Sequence, residues 1–216
     1  MSVLPRRLLI AWNVVAPLLA LGVGLSGGGW ILAVLILGSA HWPWLWATLY
    51  PGSRIWGPMV SRRSDSAIWI TIDDGPHPDD TPVLLDMLDE VGARAVFFFI
   101  GARAAAHPEL VREVQRRGHE LGNHTQTHPA GSFWIMPSAR IAWEISTCGQ
   151  TLRDACPAAS LRWFRAPAGL RNSFVHPVLE REGLQLMGWS ARGFDGVAAD
   201  PEAVAARILK AVQPGS

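Results

Sequence analysis

Cys148 and Cys156 are the only two cysteines in 216 residues, and no Cys-x-x-Cys occurs. A disulfide framework is thereby excluded, and two unpaired thiols near a helix are the expectation. Nothing repeats at a solenoid period, which excludes a stacked-repeat architecture. No basic stripe runs through the C-terminal two thirds, so nucleic acid is not an expected partner. Charge itself is missing from Leu8 to Ser53: these 46 residues hold no Asp, Glu, Lys or Arg.

Each bilayer crossing takes ~20 apolar residues, so the uncharged run has room for two. Leu8–Leu25 and Trp30–Tyr50 are the expected spans, joined by Ser26-Gly27-Gly28-Gly29, with His41 and Pro43 interrupting the second. Trp42, Trp44, Trp46 and Tyr50 fit an interfacial belt. Arg6, Arg7, Arg54, Arg62 and Arg63 stand against Asp65 alone, so residues 1–67 carry a formal +4 and the rest −3 of a total of +1. A cleaved signal peptide competes with this reading, but the run continues far beyond a usual h-region. The expectation is a retained anchor over residues 1–53 in a bacterial-type inner (cytoplasmic) membrane. Two spans put both termini in the cytoplasm; one span puts the remainder outside.

Residues 54–67 read as a short linker rich in Gly, Pro, Ser and Arg. Beyond it, apolar strand-length runs at Ile68–Ile72, Ala95–Ile100, Arg162–Arg165 and Leu184–Ser190 alternate with helical spacing. The helices are expected from Asp79–Thr81 to Val91 and over Pro108–Arg117, Pro137–Ala155, Val175–Glu182 and Pro201–Val212. Such alternation predicts an α/β fold whose parallel sheet is closed or nearly closed into a barrel. The final Gln213-Pro214-Gly215-Ser216 is a turn with no strand after it, so the barrel is expected to be incomplete at its C-terminal side.

One stretch carries chemistry. Trp69-Ile70-Thr71-Ile72 ends in the paired acids Asp73-Asp74 and a Gly75-Pro76 turn. A strand that delivers carboxylates at its C-terminal end places them where the loops of an α/β sheet converge. His124 and His128 follow in Asn123-His124-Thr125-Gln126-Thr127-His128-Pro129, at a spacing that would put both on one helical face. A carboxylate with two histidines makes a three-ligand open site for a divalent metal, and the second carboxylate beside it is free to act as a base. His77, His119 and His176 read as structural.

Thr71-Ile72-Asp73-Asp74-Gly75-Pro76, then His124 to His128, then Arg165-Ala166-Pro167-Ala168-Gly169 resemble the first three motifs of the polysaccharide deacetylases (NodB-homology domains, carbohydrate esterase family 4). The resemblance spans residues 68–216 and implies a distorted (β/α) barrel that hydrolyses N-acetyl groups with a metal. It implies Asp73 as catalytic base and Asp74, His124 and His128 as ligands of Zn²⁺, or of Co²⁺ or a similar ion. Arg165 would hold the base and Asp195 would tether Arg165. Pro167 and Trp189 are the substrate-binding candidates, although the Trp189 stripe also reads as core. Arg192 stands where an acid is usual and Gly196 where a tryptophan usually walls the acetyl pocket. The fifth motif, a Leu-x-His that supplies the general acid, is not in the sequence.

The expected function is that of a membrane-anchored, metal-dependent hydrolase removing N-acetyl groups from an amino-sugar polysaccharide or oligosaccharide. The alternatives are a deformylase or deacetylase of a lipid-linked sugar, and a non-catalytic membrane glycan-binding protein. The expected partners are an N-acetylated glycan or lipid-linked amino sugar, together with membrane lipid.

Overall fold

A computed structural model describes residues 3–196 and 200–216, with side chains from Arg7 onward; the Arg6 side chain of the basic flank lies outside the described residues. Helices α1 (Val3–Leu25) and α2 (Trp30–Leu49) pack against each other around the Ser26–Gly29 turn. Their buried positions are small, Ala16, Ala20, Ala40 and Ala47, which lets the backbones approach. Trp12 Nε1 donates to Ser39 Oγ across the pair (3.0 Å). Their outer faces expose Leu18, Leu21, Leu25, Val34 and Leu35, each more than half accessible. Residues 7–25 and 30–49 are both long and apolar enough to cross a bilayer.

The remaining elements alternate. They run β1 (Ile70–Gly75), α3 (Asp80–Glu90), β2 (Ala95–Phe99), α4 (Gly101–Ala106), α5 (Pro108–Arg116), β3 (Glu120–Asn123), α6 (Ser138–Ala155), β4 (Trp163–Phe164), α7 (Val175–Glu182), β5 (Gln185–Leu186) and α8 (Pro201–Ala211). Among the described residues the five strands are parallel and lie in sequence order, β1 to β5. β2 is buried on both faces, as an all-apolar Ala-Val-Phe-Phe-Phe run requires. One core packs Phe97, Phe99 and Leu121 against α3, α5 and α6; another packs Phe164 and Leu186 against α6 and α7. Cys148 and Cys156 are free and buried, and burial pushes the Cys148 thiol up to about 12.

The expected α/β class and parallel sheet are present, with β1 and β5 at the two ends of the strand order among the described residues. Strand 184–190 is shorter than its apolar pattern suggests. Only Gln185 and Leu186 pair with β4, and beyond them Met187 bridges to Val60. That bridge ties the 54–67 linker segment to the sheet. Val60 donates to the Leu186 carbonyl and Gly188 donates to that of Val60, so the segment extends the sheet beside β5. Gly/Pro/Ser composition signals an absence of helix and strand periodicity, not an absence of packing.

Arg171 fastens the same region. Its side chain is 1% exposed and among the described residues has no carboxylate partner, and its terminal nitrogens donate to the carbonyls of Pro51 (2.9 Å), Ser53 and Gly169 (3.3 Å). Burial lowers its pKa to about 10. Arg171→Met should therefore strand these acceptors at about 1–3 kcal/mol each. The expected result is a lower denaturation midpoint and faster limited proteolysis within residues 50–57; an unchanged cleavage rate would contradict the fastening role.

Candidate metal and hydrolase site

The loops at the C-terminal ends of β1, β3, β4 and β5 enclose a cleft of about 760 Å³ lined by Asp73, Asp74, His124, His128, Arg165 and Trp189, among others. β1 brings the two acids. Asp74 adopts a left-handed φ of 65°, which turns it away from the strand path, and a cis Gly75–Pro76 bond follows. Gly75 is required by close approach, since a β-carbon there would lie 2.7 Å from the Phe99 ring.

His124 follows directly on β3, and His128 lies in the loop beyond it. This corrects the expectation of a shared helical face: residues 124–129 are irregular. Thr125 and His128 take left-handed φ values of 70° and 52°, and these bends bring the two imidazole centroids to 4.8 Å. The loop is tied from inside. Asn123 accepts from the Thr125 N–H (3.0 Å), and its own amide donates to the Ile145 carbonyl (2.8 Å). The Thr125 hydroxyl accepts from the His128 N–H at 3.1 Å.

Asp74 Oδ1 lies 3.3 Å from His124 Nε2 and 3.0 Å from His128 Nε2. One donor atom from each of the three residues falls within 4.8 Å of the others. The donor set fits a divalent ion on a further observation. His124 Nδ1 lies 2.8 Å from the Arg165 carbonyl, a pairing that places the proton on Nδ1 and leaves the Nε2 lone pair facing Asp74. The His124 imidazole, with His128 and Arg103, holds the Asp74 carboxyl below its usual range. Burial and the neighbouring His124 lower the His128 pKa. Asp74 is thus ionised and His128 neutral near pH 7, the forms in which each binds a metal.

Asp73 is held differently. Its Oδ1 accepts from Arg165 Nη1 at 2.7 Å, and the same nitrogen donates to the Thr71 hydroxyl at 2.8 Å. Arg165 is 1% exposed and lies over the rings of Phe98 (4.2 Å) and Trp189 (4.7 Å). Burial lowers its pKa and the Asp73 charge opposes that. The two adjacent acids therefore have separate partners, a cation for Asp73 and the imidazoles for Asp74.

Two sequence expectations are corrected. Asp195 is not bonded to Arg165: it lines the cleft from an exposed turn after Phe194, and among the described residues it forms no ion pair. Arg165 takes its bonds from Asp73, Thr71 and the Met187 carbonyl instead. Pro167 is buried, and its neighbour Ala168 lines the cleft in its place. Trp189 does line the cleft. Gly196 also lines it and puts no ring there.

Glu144 was not singled out in the sequence. Fully buried on α6, it accepts from the Thr127 N–H (2.8 Å), the Thr127 hydroxyl (2.7 Å) and Arg140 (2.8 Å), so it pins the residue before His128. Its signal was legible: an acid on the apolar stripe Ile141, Ile145, Cys148 and Leu152 needs buried partners. Glu144→Leu should cost about 2–5 kcal/mol by orphaning Thr127 and Arg140. Metal affinity should fall about 10–100-fold. Chemical denaturation and metal titration check both; undiminished affinity in folded protein would contradict the positioning role.

Residues 61–187 match the family model described as polysaccharide deacetylase. The chain belongs to the polysaccharide deacetylase family. A chitooligosaccharide deacetylase of Bradyrhizobium sp. (strain ANU 289) is 35% identical over 168 residues, covering 78% of this chain and 74% of that protein. Among solved structures, a family 4 carbohydrate esterase of Streptomyces lividans in complex with acetate is 31% identical. Its TM-score is 0.60, over 66% of this chain and 72% of the other. A family 4 pseudoenzyme from Bacillus anthracis has a TM-score of 0.68 at 20% identity, a likeness of fold. It covers 74% of this chain, which spans little over half (56%) of that protein.

Proposed function

We propose that this member of the family is a membrane-anchored, divalent-metal-dependent hydrolase that removes N-acetyl groups from N-acetylglucosamine-type glycans. The observation that carries it is the division of labour between adjacent acids, Asp74 against two imidazoles and Asp73 against Arg165. Asp74, His124 and His128 would hold the ion, with Zn²⁺ suited to one carboxylate and two nitrogens. Such an ion supplies Lewis acidity that makes water nucleophilic near neutral pH and polarises the acyl carbonyl.

The chain's own residues do the rest. Asp73 accepts the proton of the attacking water, and Arg165 with Thr71 holds its orientation. The proton that Asp73 gains is then available to the amine nitrogen as the C–N bond breaks. The likeness to the Bradyrhizobium enzyme, named for chitooligosaccharide, supports an N-acetylglucosamine-type substrate. The two apolar helices support an anchor over residues 1–53, with 68–216 as the catalytic unit.

The test is acetate release from N-acetylglucosamine oligomers by the full chain in detergent, loaded with Zn²⁺. Turnover that a chelator removes and Zn²⁺ restores is expected. Metal-loaded, folded protein that releases no acetate from any N-acetylated sugar would overturn the reading.

A further inference from the structure

Two arginines, Arg192 and Arg207, gather on an aromatic bed beside the cleft. Arg192 lines it, with its guanidinium 4.2 Å from the centroid of Trp189 and 5.0 Å from that of Phe194. Arg207 approaches the other end of this bed, 5.9 Å from Phe194, and donates to the Gly193 carbonyl. Among the described residues neither arginine has a carboxylate partner. Other acids on the cleft are accounted for: Asp73 is bonded to Arg165, Asp74 faces the histidines, and Asp195 is exposed and bonded to neither arginine. A guanidinium stacked on an aromatic face keeps its edge N–H groups free, in the fork geometry that suits a phosphate.

The same wall adjoins the end of the second apolar helix. Gly169 lies between Trp189 and Pro51 so tightly that a β-carbon would fall 2.7 Å from one ring and 2.8 Å from the other. Pro51 is two residues beyond the end of α2 at Leu49, and Arg171 clamps Pro51 and Ser53 to this loop. Trp189 is thereby packed close to the end of the second apolar helix.

We propose that the cleft takes an N-acyl amino sugar carrying a phosphate or diphosphate and delivered from the bilayer, with Arg192 on its Trp189–Phe194 bed holding the anion. This rests on the deacetylase reading above and names its substrate class.

Binding tests this without turnover. Metal-free full-length chain in detergent micelles is titrated with N-acetylglucosamine, its 1-phosphate, inorganic phosphate and a polyprenyl-diphosphate-linked N-acetylglucosamine, followed by tryptophan quenching and calorimetry. The 1-phosphate should bind about 10–100-fold more tightly than the neutral sugar, the range of one charge-assisted contact. In Arg192→Gln that ratio should fall towards one, and Arg192→Lys should recover part of it. The lipid-linked sugar should bind about tenfold or more above the free 1-phosphate, through its effective concentration in the micelle.

Equal binding of the neutral and phosphorylated sugars, or a ratio unmoved by Arg192→Gln, would overturn the anion site. Equal binding of free and lipid-linked phosphates would overturn delivery from the bilayer. Inorganic phosphate binding as tightly as the sugar phosphate, whatever stands at 192, would show an adventitious ion only and also overturn it. Acetate release from the neutral sugar by Zn²⁺-loaded protein separates these outcomes from failure of the deacetylase reading, which that release would uphold.

Discussion

Asp73→Asn will bind its full equivalent of metal and lose acetate release by about 10²–10⁴-fold, the range contributed by a positioned general base. The argument is geometric. Asp73 Oδ1 accepts from Arg165 at 2.7 Å, and an asparagine can present its amide oxygen to the same donor, so the local frame survives the change. What disappears is the capacity to take a proton. The three proposed metal donors, Asp74, His124 and His128, are left unaltered. Parallel measurement of acetate release and metal stoichiometry checks both halves. A variant that still turns over at the parent rate would remove Asp73 from the chemistry.

The second large effect belongs to its neighbour. Asp74→Asn should reduce metal affinity by more than the roughly 10–100-fold that loss of an outer partner costs, because it removes the only anionic donor. Stability should hardly change. The Asp74 side chain is 55% exposed, and asparagine tolerates the left-handed φ of 65° found there. Activity then falls with metal occupancy and recovers in part at high metal concentration, which Asp73→Asn cannot do. Opposite responses from two adjacent carboxylates are a demanding outcome: if both variants lost metal together, or neither did, the division of roles would be wrong.

That Asp73, Asp74, His124, His128 and Arg165 belong together was legible in the sequence because hydrolytic chemistry restricts residue type far more than packing does. Two acids at a strand end and two histidines four apart admit few readings once they occur together. Their three-dimensional arrangement was less visible. The histidine spacing suggested a helix, yet the rings meet through left-handed backbone at Thr125 and His128, which no periodicity encodes. β3 was missed because Glu120-Leu121-Gly122-Asn123 is too short and too polar to alternate, and Gly122 is there to admit the Phe98 ring. The overlong reading of β5 has the converse cause, since Leu184, Met187 and Trp189 are apolar for the core and the cleft rather than for the ladder.

Arg171 and the 51–61 segment show a different limit. The Arg171 bonds run from side-chain nitrogens to backbone carbonyls about 120 residues away, Val60 is held by backbone bonds, and carbonyl acceptors leave no trace in residue identity. The Asp195 expectation failed for a related reason. Arg165 finds its acceptors on β1 and after β5, so the distant acid is not needed to satisfy it.

The most direct measurement is a Zn²⁺ titration of the full chain in detergent with ¹⁵N-labelled imidazoles, followed by NMR. One equivalent should shift the Nε2 resonances of His124 and His128 together, leave those of His77, His107 and His119 in place, and do the same in Asp73→Asn. Zinc that binds without moving either resonance, or folded protein that takes up none, would contradict the account.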